Sequence, residues 1–380
     1  MPSKITSRIV AETGIPRLFS VLAEEISPGD LQSLLLSVYQ DRVRTMHESE
    51  VFRRSEQSTL MTPSSIEARL LNGFDRIAFV VAEGFEGVDL SPVGPLGTHF
   101  VLGAIDQNNV LTTIRNAELL GDPTPAMALE CARRRKSLAH RVPHPPVQLC
   151  TSHRAVRLQP FDFPDFTPHF RLFGLVSAGR DTGSSCFEIE QLGEHIRFYL
   201  RFFRALSTEG FSLTSPLVEI SDLTITEALL NEAGSSRDQV RQLVRAHKPG
   251  SAEHFLAERG ITLPTNITDP KVELRGLARQ YGLDSRLSRL VLLKQRMIDP
   301  IQAEYPEAQL RFNLARLEGL GYYSGLCLRI SPVAPDGVRY PIADGGLTDW
   351  TARLLQDNKE RLLTSGIGSE FVCRRYRIAP

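Results

Sequence analysis

The chain has 380 residues, 42% of them hydrophobic and 23% charged, with 44 Lys and Arg set against 44 Asp and Glu. That apolar fraction supports a real core, in one large domain or two to three smaller ones. Zero formal charge gives no basis for bulk attraction to nucleic acid or to an anionic membrane, so partners have to be argued from sites.

The cysteines Cys131, Cys150, Cys186, Cys327 and Cys373 are widely spaced, odd in number and lack a CxxC pair. They fit neither a disulfide framework nor a zinc site and read as small buried apolar residues in a reducing compartment. The opening MPSKITSRIVAETG has no apolar stretch of the kind a signal peptide carries, and no uncharged run approaches about 20 residues. The expectation is a cytoplasmic protein without a membrane span.

In chain order, Ser27 to Arg44 predicts a capped amphipathic helix, with Leu31, Leu34, Leu35, Val38 and Tyr39 on a side that needs a partner surface. Arg76 to Ala82, His99 to Ala104 and Leu111 to Thr113 read as short strands around a Gly- and Pro-rich loop. Thr124 to Lys136 predicts a helix ending in a basic turn whose arginines are solvated. Val147 to Leu149, Ala155 to Leu158 and Phe170 to Ser177 predict strands, and the irregular QPFDFPDFTPH before the last is a candidate ligand-facing loop. Glu190 to Leu206 predicts a helix whose aromatic stripe, Tyr199, Phe202 and Phe203, serves packing.

After PLVEISD come short helical patterns at Ile225 to Ala233, Ser236 to Ala246, Ala252 to Glu258, Lys271 to Tyr281 and Leu283 to Met297. Strands are expected at Gly325 to Ile330 and Arg339 to Ala343, then a helix from Thr348 to Asn358 and an apolar-plus-basic end at Phe371 to Ile378. Strands early and late with a helical excursion between them predict an α+β fold: an antiparallel sheet flanked by helices. The corresponding division is 1–209, a mostly helical insertion at 210–315, and 316–380.

The sequence contains no GxxxxGK[ST], no GxGxxG after a strand, no HExxH and no GxSxG. His140, His144, His153 and His169 lie within thirty residues, but His140 and His144 sit in a polar, proline-rich loop without thiolate or carboxylate partners at zinc spacing, so loop hydrogen bonding is expected there in place of metal binding. Arg154, Arg157, Gln159, His169, Arg171, Arg180 and Asp181 gather around the long hairpin, where guanidinium groups suit a phosphate or carboxylate.

The ordered segments TTIRNAELLGDPTPAMALECARRRK, VRLQPFDFPDFTPHFRLFG, LEGLGYYSGLCL and GIGSEFVCRRYR resemble the catalytic core of class II aminoacyl-tRNA synthetases, in particular the histidyl enzyme and its shortened paralogs. The likeness spans residues from about 15 to 380 and implies an antiparallel sheet carrying ATP, with Mg2+, and an amino acid, in a core that commonly dimerises. It implies that Arg157 contacts the α-phosphate and that Arg375 stacks near adenine and holds the γ-phosphate. Gln159, in place of an acid, and Arg171 complete the implied ATP site. Asp122 and Thr124 correspond to the pair holding the amino acid's ammonium group, and Tyr322 and Tyr323 to paired tyrosines at the side-chain pocket. Fixed positive charge matters for such a step because in-line attack on the α-phosphate needs electrostatic stabilisation more than a general base.

The departures matter equally. Glu318 stands where the histidyl enzyme has a catalytic arginine, Leu175 and Gly179 are matched to a glutamine and a glutamate that read substrate, and Leu347 replaces the arginine of GGRYD. Histidine is therefore not the expected substrate, and with no anticodon-binding segment after GIGSEFVCRRYR ordinary tRNA charging is not expected. Two readings remain. One is an ATP-dependent ligase that activates an amino acid or related carboxylate as its adenylate and passes it to a non-tRNA acceptor or carrier. The other is a non-catalytic regulatory subunit, resembling that of ATP phosphoribosyltransferase, with a partner protein. The first predicts that Arg157 and Arg375 converge on one open cleft with Asp122 across from them.

Overall fold

An eight-stranded sheet organises the chain in the computed structural model, which describes residues 3–138, 144–159, 166–232, 234–236, 238–240, 242 and 257–378. The strands lie in the order β1 (Glu86–Gly87), β4 (Val147–Val156), β5 (His169–Arg180), β10 (Glu360–Gly368), β9 (Ala343–Thr348), β8 (Leu326–Val333), β6 (Thr214–Asp222) and β7 (Gln309–Phe312). The two outermost pairs, β1 with β4 and β6 with β7, are parallel, and all inner pairs are antiparallel. β2 (Val93–Pro95) and β3 (Ala117–Leu119) form a separate antiparallel ribbon. This is the α+β arrangement that the sequence predicts.

The labelled helices are α1 (Lys4–Thr13), α2 (Pro28–Val43), α3 (Glu48–Gln57), α4 (Ala68–Val81), α5 (Thr98–Gly103), α6 (Pro123–Lys136), α7 (Cys186–Ser207), α8 (Leu223–Glu232), α9 (Asp284–Leu293), α10 (Trp350–Leu355) and α11 (Ser369–Arg375). Alternation along β5 divides the core. Phe173 and Leu175 pack with α4 and α7 on one face, while Val176 and Ala178 pack with Met127, Cys131 and Trp350 of α6 and α10 on the other. The aromatic stripe of α7 is buried, as expected. Burial of each such side chain stabilises the fold by about 1.5–3 kcal/mol.

Several elements differ from the sequence reading. Arg76 to Ala82 is the second half of α4: Leu71, Phe74, Ile77 and Ala78 are buried at helical spacing that starts upstream of the apolar run. His99 to Ala104 is also helical, as α5, and Leu111 to Thr113 supplies only an isolated bridge from Thr112 to Glu118. The two short strands before the hairpin are one continuous strand, β4. Arg339 to Ala343 gives way to β9, which starts at Ala343, and the helix expected from Thr348 shortens to α10. β10, central to the sheet, has small residues in place of a β-branched run and was not anticipated.

The span 210–315 contributes β6 and β7 to the main sheet. Its helical part lies between them, and most of Ser236 to Ala246 and Ala252 to Glu258 falls outside the described residues, as does His140. The basic turn of α6 is only partly solvated, because Arg135 is buried in an ion pair with Glu360 of β10. α2 forms with Ser27 as its cap, but none of the residues of α1, α2 or α3 is buried within this chain.

Candidate functional site

A cavity of about 610 Å³ opens between the start of α6, the end of β4, the turn before β8, and strands β9 and β10. Asp122 caps α6: its Oδ1 accepts hydrogen bonds from the Thr124 backbone N–H at 2.9 Å and hydroxyl at 2.8 Å. Its Oδ2 accepts the Tyr322 hydroxyl at 3.1 Å, and that hydroxyl also lies 3.0 Å from Thr124 Oγ1. Burial, followed by the Asp122 charge, pushes the Tyr322 pKa well up, so the phenol remains a donor.

Arg157 follows β4 directly. Its Nε donates to the Gly121 carbonyl at 2.6 Å, its Nη2 lies 3.5 Å from Asp122 Oδ2, and its guanidinium sits over the Phe170 ring at 5.1 Å. Beneath this turn, buried His99 offers Nδ1 to Glu118 Oε1 at 2.7 Å, while Nε2 accepts the backbone N–H groups of Gly121 and Asp122 at 3.1 and 3.3 Å. Those partners assign a neutral ring protonated on Nδ1. Burial raises the Glu118 pKa, but hydrogen bonds from the His99 backbone, Gln107, the His99 ring and Gly97 bring it net below the usual carboxylate value.

The other end of the cavity centres on Tyr323, whose hydroxyl donates to Asp344 Oδ1 at 3.2 Å. Nη2 of buried Arg316 donates to both Asp344 oxygens at 2.7 and 2.8 Å, while Nη1 and Nε donate to the carbonyls of Leu328 and Glu318 at 2.8 and 3.0 Å. Glu318 lies 3.4 Å from Arg329. Gly346 lets Tyr323 approach β9, since a Cβ there would lie 2.7 Å from the ring.

Seven of the nine residues singled out in the sequence line this cavity: Asp122, Thr124, Arg157, Gln159, Glu318, Tyr322 and Tyr323. Arg171 does not. It shares the Phe173 and Leu175 face of β5, opposite the cavity, where its Nη1 donates to Asp75 at 2.6 Å. Arg375 is also outside the lining: it occupies the last turn of α11, with its guanidinium over the Tyr340 ring at 5.6 Å. Of the two arginines expected to converge on one cleft, only Arg157 lines this cavity, and Asp122 stands beside it, not across from it.

Leu175 and Gly179 are likewise removed from the cavity; the β5 side chain that reaches it is Leu172. Sequence reasoning missed Arg316, Arg329, Asp344 and His99. Arg316 lies two residues before the charge reversal at Glu318, and Asp344 immediately before the glycine pair of β9, so both were adjacent to segments already singled out.

No protein-family model matches the sequence, and no curated protein matches it. Solved structures do. An ATP phosphoribosyltransferase regulatory subunit/histidyl-tRNA synthetase from Bacillus halodurans C is similar with a TM-score of 0.62 at 16% identity, covering 82% of this chain and 80% of that one. A histidine--tRNA ligase subunit from Alicyclobacillus acidocaldarius gives 0.60 at 16% identity, over 82% and 94% of the two chains. Histidyl-tRNA synthetase from Nostoc sp. PCC 7120 gives 0.61 at 15% identity, over 83% and 74%. The chain has the class II synthetase-like fold.

Within that fold, the cavity occupies the sheet face bearing β9, β10 and the end of β4. Its charged lining consists of Arg157, Arg316 and Arg329 against Asp122, Asp344 and Glu318, each arginine with a carboxylate within 3.5 Å. Among the described residues, no group of three or more His, Cys, Asp or Glu side chains is arranged to hold a metal ion. No described helix is long and apolar enough to cross a membrane.

Proposed function

We propose that this chain binds a small amino carboxylate without adenylating it, and serves as a regulatory subunit to a partner enzyme. The observation that carries the reading is the pairing of all three cavity arginines with carboxylates. A triphosphate needs several uncompensated positive charges, and among the described lining residues only the partly exposed Arg157 guanidinium, itself 3.5 Å from Asp122, faces the cavity. The donor set therefore does not fit ATP with Mg2+, and Arg375, on which the adenylating reading depends for the γ-phosphate, stands outside the cavity. What is kept suits a zwitterion: the carboxylates of Asp122, Asp344 and Glu318 for a cationic group and the partly open Arg157 guanidinium for a carboxylate.

The similar structure described as an ATP phosphoribosyltransferase regulatory subunit supplies the class of partner: a phosphoribosyltransferase-type catalytic chain. A homodimer is part of this reading, supported by the exposed Phe79 and Val80 of α4 and Phe100 and Val101 of α5. Calorimetric titration with MgATP and with a panel of amino acids tests the proposal. Amino acid binding without measurable ATP binding is expected; saturable MgATP binding lost in Arg157→Ala would overturn it.

A further inference from the structure

The cavity's ion pairs are unequally exposed, and the inequality gives it two poles. At one end the Arg157 side chain is 30% exposed and its partner Asp122 15%. At the other the order reverses: Asp344 is 48% exposed in front of Arg316 at 3%, and Glu318 58% in front of Arg329 at 25%. What a ligand meets is therefore a guanidinium at the Arg157 end and carboxylate oxygens at the Tyr323 end. The arginines behind those carboxylates are held back: Arg316 is occupied by Asp344 and by two backbone carbonyls. We infer that the ligand is an amino carboxylate carrying a second, cationic group several bonds from its carboxylate, which sits against Arg157 while the remote cation sits against Glu318 and Asp344. This rests on the reading of the cavity as an amino carboxylate site, and names the class of compound it takes.

The chemistry of the two ends is consistent with that orientation. Burial works to raise the Glu318 pKa, but Arg329, its own backbone N–H and Arg316 together lower it, so the carboxylate is charged near neutrality. Burial and the Asp344 charge keep the Tyr323 phenol protonated, so it donates to Asp344, whose half-exposed carboxylate still carries its negative charge into the cavity. Leu172, Ile342 and Ile105 are apolar lining that suits the methylenes between the two charges.

The test compares lysine, norleucine, which lacks lysine's terminal ammonium, 5-aminovalerate and glutamate by calorimetry, on the wild-type chain and on Glu318→Gln, whose exposed position spares the fold. Lysine is expected to bind about tenfold or more tighter than norleucine, with most of that preference lost in Glu318→Gln while norleucine is unchanged. Asp344→Asn, checked for folding by its melting temperature, gives the same loss. Glutamate or norleucine binding as tightly as lysine, or a preference that survives Glu318→Gln, overturns the inference and leaves the site reading intact. No binding by any of the four overturns both.

Discussion

Arg316 Nη2 bridges both oxygens of Asp344 in an ion pair whose arginine is buried and whose carboxylate faces the cavity. The cost of removing each partner is therefore unequal. Asp344→Ala strands a buried guanidinium and is expected to cost about 3 kcal/mol or more, whereas loss of the carboxylate's partner in Arg316→Met leaves a charge that water can reach and costs less. Urea denaturation of the two variants checks the order; a reversed order would show that the arginine is solvated.

Gly346 brings function and packing together. An added methyl would lie 2.7 Å from both the Tyr323 ring and the Cys327 Cβ. Gly346→Ala is expected to cost about 1–3 kcal/mol and to displace Tyr323 from Asp344. Ligand affinity should fall with it. A variant with wild-type stability and affinity would show that β9 shifts freely.

His99 supports the Asp122 turn from below through two backbone N–H groups and Glu118. His99→Leu keeps nearly the same volume and removes all of these side-chain bonds, leaving buried polar groups unpaired at a cost of about 1–3 kcal/mol each. The expected signature is weaker binding together with lower stability. Loss of stability alone would separate His99 from the site.

Much of this architecture was legible. The capped helix that starts after Ser27, the strand character of β5 and the apolar stripe of α7 are local patterns, and local patterns are what a sequence displays. α4 was mistaken for a strand because its apolar run is short and nearly continuous, which periodicity alone does not resolve. β10 went unseen because Thr364, Ser365 and Gly366 have little strand preference of their own and are held by pairing with β5 and β9. At the site, Asp122, Arg157 and the tyrosines were found through motif likeness. Arg375 and Arg171 were not separable from them in that way, because which side of an element a charge occupies depends on packing.

Buried His195 predicts a pH dependence. Its ring is held between Ser177 Oγ at 3.0 Å and Ser365 Oγ at 2.8 Å, and burial pushes its pKa down to about 3. The folded state thus disfavours the proton that the unfolded chain binds at about 6.5. Stability from this group is complete above about pH 6.5 and falls as the pH drops toward 3, by up to about 1.4 kcal/mol per unit. Denaturation curves from pH 7 to 4.5 should show a shallower slope for His195→Asn than for the wild type; equal slopes would mean that the histidine is solvated before unfolding.

A regulatory role requires that the cavity bind its ligand without activating it. ATP–pyrophosphate exchange across the amino acids and related carboxylic acids tests this most directly, with folding confirmed in the same sample. No acid-dependent exchange is predicted, including from compounds that bind by calorimetry. Exchange stimulated by one acid and abolished in Arg157→Ala would establish adenylation and rule out a purely regulatory cavity.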